Sequence, residues 1–357
     1  MSNLTEKKPR TKTGHLRYLA NANDNIGGYL KCDGSILLQN SYPNLYNVIG
    51  IIQDGFSWTT VTSGTTDSIY ALTYGNGLYV FGDYSGNGAS STNAINWSTL
   101  IAFDALNIFS LTYGNGIYVC GCAYGYLGTS TNAINWTTQT ALYSGTNQTI
   151  QSLTYGNGLY VFFGLAGYIG TSTNAINWTS QTSGTANIQA STYGNGIYVY
   201  GGLGGFLLTS TNAMNWNTQT SGTASNIYSL TYGNGLYVYG GYSGSLGTST
   251  NAINWTTQSS GTTQHIWALT YGNGIYVYGG GTGVIGSSTN AINWTTQSSG
   301  TTSIYSLTFG NGVYVYGRVG GGLGTFSPYS YNISTSFKLP TTTQLYSNIS
   351  SQTFIKY

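Results

Sequence analysis

The sequence predicts an all-β fold, a seven-bladed β-propeller of four-stranded antiparallel blades. Three observations predict it. Trp58, Trp97, Trp136, Trp178, Trp216, Trp255 and Trp294 recur at intervals of 39, 39, 42, 38, 39 and 39 residues, the length of one propeller blade. Seven Y/F-G-N-G tetrads, starting at Tyr74, Tyr113, Tyr155, Tyr193, Tyr232, Tyr271 and Phe309, keep the same period. The first and last units are complementary fragments, because "SWTTV" (57–61) supplies only a fourth strand and Ile304–Phe326 only the first three. Together they make one shared blade that fastens a ring. A solenoid of stacked units is the rival architecture, but it leaves open strand edges that a closed ring removes.

Each element of a unit has its own reason, and the unit beginning at Ile227 serves for all. "IYSLTYG" (227–233) is rich in aromatic and β-branched residues and reads as a strand. Asn234-Gly235 suits a two-residue hairpin that needs positive φ at both positions. "LYVYGG" (236–241) returns as the second strand, a Gly-rich turn leads into "SLGTST", and "NAINW" turns the chain into a last strand, "NWTTQ".

Composition narrows the function. Charged residues are 4% of the 357 residues, against roughly 25% in an ordinary soluble domain. Regularly spaced Tyr, Trp, Val and Ile argue for a folded chain, since disorder goes with few aromatic and β-branched residues. Lys7, Lys8, Arg10, Lys12 and Arg17 crowd the amino terminus, while Arg318 is the only cation between Lys31 and Lys338. The repeats therefore offer no basic face to nucleic acid. No apolar stretch is long enough to enter a membrane as a helix, and the start resembles no signal peptide. Cys120-Gly-Cys122 is too sparse for zinc, and His15 and His265 form no ligand or triad spacing. No cofactor and no metal are expected.

The turns "STNAINW" (91–97, 130–136, 172–178, 249–255, 288–294) resemble the Asp-box of sialidase-like propellers, Ser/Thr-x-Asp-x-Gly-x-x-Trp. Here Asn stands for Asp, the Gly is missing and the loop is one residue shorter; Asp54-Gly55-Phe56-Ser57-Trp58 comes closer. The resemblance implies fold and strand order, and it carries no enzyme activity, because the Asp-box is a structural turn. Outside the repeats, "GGYLKCDGSILLQNSYPNLYNVIG" (27–50) resembles the start of the tail-collar domain of phage tail fibres. Gly28, Leu30, Cys32, Asp33, Gly34, Ser35, Tyr42, Leu45, Ile49 and Gly50 carry the match, and a short helix is expected from Pro43 to Gly50. The Phe-x-Leu-Pro and Phe-Ile-Lys pieces of that family appear far downstream, as Phe337-Lys338-Leu339-Pro340 and Phe354-Ile355-Lys356. The expected organisation is a basic arm (1–17), a split collar-like domain (18–52 with 328–357) and an inserted propeller (53–327).

Strand order puts the Y-G-N-G and STNAINW turns on one face, here called the bottom, with both links to the collar-like part. The opposite, top face carries the loops that vary between copies, and variable loops on a constant scaffold carry binding. The candidate ligand-binding residues there are Asp83, Tyr84, Phe103, Asp104, Tyr124, Tyr126, Tyr143, Tyr168, Phe206, Tyr242, His265 and Arg318. Tyr presents sugars with a flat apolar face and a polar tip. For each single Tyr, packing within its blade is the blander expectation. The resemblance implies a virion tail protein, and the face implies binding of a host surface receptor, a saccharide. Implied partners are other tail proteins and copies of the chain, as a trimer. A purely structural tail protein is the alternative. A glycan depolymerase is the third class, and it needs a carboxylate pair for which only Asp83 and Asp104 are suitably placed.

Overall fold

The computed structural model describes residues 58–98, 106–139, 148–182 and 187–326, together with short strands at 16–19, 29–31, 36–38, 101–102, 336–338 and 352–356. The basic arm up to residue 15 and the helix expected after Pro43 lie outside the described residues. Two compact units emerge, one of Met1–Phe56 with Pro328–Tyr357, the other Ser57–Ser327.

The first unit joins the two ends of the chain. Gln352–Lys356 pairs antiparallel with both Leu16–Leu19 and Tyr29–Lys31, and Ile36–Leu38 pairs with Ser336–Lys338. These strands include Leu30 and the Phe337 and Phe354-Ile355-Lys356 positions of the sequence match.

The second unit is seven four-stranded antiparallel sheets. Blades one to six begin at Ile69, Ile108, Ile150, Ile188, Ile227 and Ile266, each running through its four strands in chain order. Blade seven takes Ile304–Gly310, Val313–Arg318 and Leu323–Phe326 from the end of the unit and Thr59–Val61 from its beginning. The shared blade is thus as the sequence predicts. Thr325 pairs with Thr59, and the Trp58 and Phe326 rings lie 4.9 Å apart, so the unit's two chain ends leave side by side. Adjacent termini are what insertion of one domain into another requires.

Local chemistry sets each turn. The Asn of every Y/F-G-N-G tetrad has φ between 42° and 47°, and the following Gly is also left-handed, as a type I′ hairpin demands. In the STNAINW turns the Asn Oδ1 accepts two backbone N–H groups; Asn251 takes those of Ile253 and Asn254 at 3.0 and 2.9 Å. The missing Gly is replaced by a left-handed Ala, with Ala252 at φ 59°. Its methyl is buried, and its carbonyl accepts the Trp255 indole N–H at 3.0 Å. Burial of the methyl offsets the roughly 1 kcal/mol that left-handed backbone costs a residue with a Cβ.

Blades adhere through their second strands. Tyr79, Tyr118, Tyr160, Tyr198, Tyr237, Tyr276 and Tyr314 each donate a hydroxyl hydrogen bond to the carbonyl of the tetrad's first Gly in the preceding blade. The next blade's aromatic ring lies over that same Gly: a Cβ on Gly233 would sit 2.0 Å from the Tyr271 ring. Apolar clusters likewise span neighbouring blades. One joins Val315 and Leu323 of blade seven to Ile69, Tyr79 and Phe81 of blade one, which closes the ring.

Candidate functional site: the mouth of the central channel

The first strands of all seven blades line the central channel, and each has a β-bulge at its second residue. In blade one Ile69 pairs with Asp83 and Ala71 with Gly82, which leaves Tyr70 without a partner in the ladder. The same shift frees Phe109, Gln151, Gln189, Tyr228, Trp267 and Tyr305. A bulge re-aims a side chain out of the ladder's alternation. Here it turns seven side chains into the lining of a cavity of about 500 Å³, within the roughly 300–1,000 Å³ of ligand pockets.

Five of these seven residues are aromatic, and with three top-loop residues they form a continuous arc. The Tyr242 ring stacks on His265 at 4.4 Å, and His265 meets Trp267 edge-on at 5.2 Å. Trp267 stacks on Tyr228 at 4.4 Å and meets Tyr305 at 5.7 Å. Tyr305 stacks on Tyr70 at 4.7 Å, and Tyr70 continues to Phe109 at 5.8 Å and Tyr84 at 5.6 Å. Tyr84 and Tyr242 are 48% exposed, so the arc keeps open ring surface. The Ser243 N–H donates to His265 Nδ1 at 2.9 Å, which fixes the orientation of the imidazole.

The remaining sector, from blades three and four, is polar. Gln151 and Gln189 stand at the mouth, and below them the Ser152 and Ser191 hydroxyls share a hydrogen bond of 2.7 Å. Deeper in the channel a belt of leucines, among them Leu72, Leu153 and Leu269, is broken only by Ser191. Among the described residues, none that lines the cavity is charged. Burial, and to a lesser degree the neighbouring Tyr305 and Tyr84, raises the Tyr70 phenol above its ordinary value and keeps it a neutral donor.

The structure sorts the twelve sequence-predicted residues. Tyr84, Tyr242 and His265 come together in the arc. Tyr124 projects from the tip of its turn, 56% exposed and left-handed at φ 56°. Tyr126 and Phe206 pack against the cores of their own blades, the blander expectation for each. Tyr168 is half-buried at the start of a strand, and Arg318 is half-buried at the end of one, beside Gly322. Phe103, Asp104 and Tyr143 lie outside the described residues.

Asp83 corrects an expectation. It is fully buried, and its carboxylate accepts hydrogen bonds from the Thr65 hydroxyl, the Ser85 and Asn87 backbone N–H groups and the Asn87 amide. Its oxygens hold the top loop of blade one together and have no capacity left for a ligand. Among the described residues, no group of three His, Cys, Asp or Glu side chains could hold a metal. Cys120 and Cys122 are buried and unlinked, their sulfurs 3.8 Å apart; the contact with Cys122, then burial, raises the Cys120 thiol.

Reading the sequence missed Tyr70, Phe109, Gln151, Gln189, Tyr228, Trp267 and Tyr305. The signal was present. They occupy the most variable position of the first strand (Tyr, Phe, Gln, Gln, Tyr, Trp, Tyr) beside near-constant Ile and small residues, and Trp267 is the one Trp outside the period after Trp58.

No protein-family model matches the chain, and no curated protein does. Solved structures do. YCF48 from Cyanidioschyzon merolae is similar with a TM-score of 0.63 at 15% identity, over 77% of this chain and all of that one. Streptogramin B lyase is similar with a TM-score of 0.68 at 16% identity, over 76% of this chain and 97% of that one. The WD40 propeller domain of Doa1 is similar with a TM-score of 0.67 at 11% identity, over 78% and 98%. At such identities the likeness concerns the fold alone, and in fold this chain is a seven-bladed β-propeller.

Proposed function

We propose that this chain is a tail protein of a tailed phage, carried at a fibre tip, whose propeller binds a saccharide receptor on the host surface through its top face. The observation that carries the binding half is the aromatic arc at the channel mouth, built mostly at the most variable position of the first strand. Stacked and edge-on rings with open faces are what a sugar's apolar face packs against. The phage half rests on the resemblance of the two chain ends to the tail-collar domain. The strand pairing of those ends supports it, since a split domain must reunite its halves. We read the protein as a binder rather than an enzyme, because Asp83, half of the only carboxylate pair considered, has its oxygens consumed within its loop.

The structural alternative draws on a different feature. Ile95, Ile134, Ile176, Met214, Ile253 and Ile292 stand exposed at the tips of the STNA(I/M)NW turns, one in each of blades one to six, a regular apolar rim suited to subunit contacts.

The test is competition for adsorption. Purified chain is mixed with host bacteria, and the parent virions that still adsorb are counted. A dose-dependent block that disappears in a folded Trp267→Ala, Tyr305→Ala double variant is the expected result. No block by the folded wild-type chain sinks the receptor reading in favour of the structural one.

A further inference from the structure

The mouth of the channel has two unlike walls, and that asymmetry specifies a ligand class more narrowly than the face alone. We infer that the mouth is an end-on socket for the terminal residue of a neutral glycan, one apolar sugar face on the aromatic wall and its hydroxyls on the amide wall. The inference rests on the receptor reading above and deepens it.

Three features converge. First, the stacked pairs Tyr228–Trp267 and Tyr305–Tyr70 lie on blades five to one, whereas Gln151 and Gln189 lie on the adjoining blades three and four. A pyranose ring has this polarity, with C–H groups on its faces and hydroxyls around its edge. Amide side chains both donate and accept, so they can answer hydroxyl groups in either sense.

Second, among the described residues none that lines the cavity is charged. A carboxylate or phosphate taken into this mouth would lose its hydration with no cation to replace it. Acidic sugars are therefore excluded by the same composition that accommodates neutral ones.

Third, the site is bounded in depth. Below the mouth the leucine belt is broken only by Ser191, bonded to Ser152, and the Ser110, Ser229 and Ser306 hydroxyls beside the belt donate to backbone carbonyls. A cavity of about 500 Å³ with an apolar belt beneath its mouth suits a chain end. An extended peptide instead needs a groove or an open strand edge along its length.

The experiment uses the full chain on a printed array pairing neutral oligosaccharides with uronic- and sialic-acid-bearing counterparts. Choline chloride and a proline-rich peptide are titrated in parallel. Neutral glycans should bind, and Trp267→Ala should weaken them about tenfold or more. Gln151→Ala and Gln189→Ala, which leave the rings in place, should change which neutral sugars are held. Tyr124→Ala should leave binding unchanged. Binding only to acidic glycans, choline or peptide overturns the inference. So does neutral-glycan binding that survives both Trp267→Ala and the Gln substitutions, or no binding to any probe. A wild-type chain that blocks virion adsorption yet ignores neutral glycans sinks this inference alone, whereas failure to block adsorption sinks the receptor reading beneath it.

Discussion

Tyr79 and Gly310 lie 231 residues apart in sequence, and the Tyr79 hydroxyl donates a hydrogen bond to the Gly310 carbonyl. Six other tyrosines make the same bond to the preceding blade, from Tyr118 to Gly75 round to Tyr314 to Gly272. The seventh joins the last blade to the first, and a solenoid could not make it.

Ring closure makes these bonds equivalent. Tyr79→Phe leaves the buried Gly310 carbonyl without its donor, which costs about 1–3 kcal/mol. Tyr198→Phe, in mid-ring, should cost the same. Thermal melts of the two variants should show matching losses of several degrees. A harmless Tyr79→Phe beside a costly Tyr198→Phe would mean that the ring is open between blades seven and one.

Alkali should unfold the propeller cooperatively. Burial first, then neighbouring tyrosines, raises the Tyr118, Tyr160 and Tyr198 phenols from 10.0 to about 12. Each holds its proton more tightly folded than unfolded, so its contribution is complete below about pH 10 and is lost as pH climbs towards 12. Phenolate absorbance of the core tyrosines should therefore appear together with loss of β-sheet circular dichroism. Smooth titration of every tyrosine near its ordinary value, with the fold intact, would contradict this.

Two glycines of one tetrad should behave differently. Gly233→Ala would place a Cβ 2.0 Å from the Tyr271 ring, so blades five and six must part for it. Gly235 is left-handed with nothing within 4 Å, so Gly235→Ala meets only backbone strain of roughly 1 kcal/mol. Denaturant midpoints should rank wild type, Gly235→Ala and Gly233→Ala in falling order.

The STNAINW turns need an oxygen acceptor. Asn251→Ala strips the Ile253 and Asn254 N–H groups of their partner and should destabilise by about 1 kcal/mol, whereas Asn251→Asp keeps the acceptor and most of the stability. Equal losses in the two variants would show that the side-chain amine, not the oxygen, matters.

Asp83 is a structural residue of the top face. Asp83→Ala orphans the Thr65 hydroxyl and three N–H donors of the loop. It should lower the melting temperature clearly, by about 2 kcal/mol or more in stability. A variant of unchanged stability that loses ligand binding would return Asp83 to the site.

Much of this was legible in the residues themselves. The Trp period set blade length, Asn-Gly marked the hairpins, and the two fragments at the ends of the repeat foretold the mixed blade. Those signals are local: each concerns a turn, a strand's alternation or a spacing, and local chemistry decides it. The candidate site was legible only in part. Tyr84, Tyr242 and His265 were found because loops advertise variation, but Tyr70, Trp267 and Tyr305 sit inside strands, where an aromatic ordinarily means core packing.

By itself, the sequence determined that there are seven β-units, where each turns and how the ring is fastened. The tertiary structure decided which tyrosines bond to which glycine carbonyls across blades, that Asp83 is buried, and that seven strand residues face a common axis. The physical reason is the bulge: one unpaired residue per first strand rotates a side chain out of the ladder, and only ring closure brings seven such side chains to one mouth.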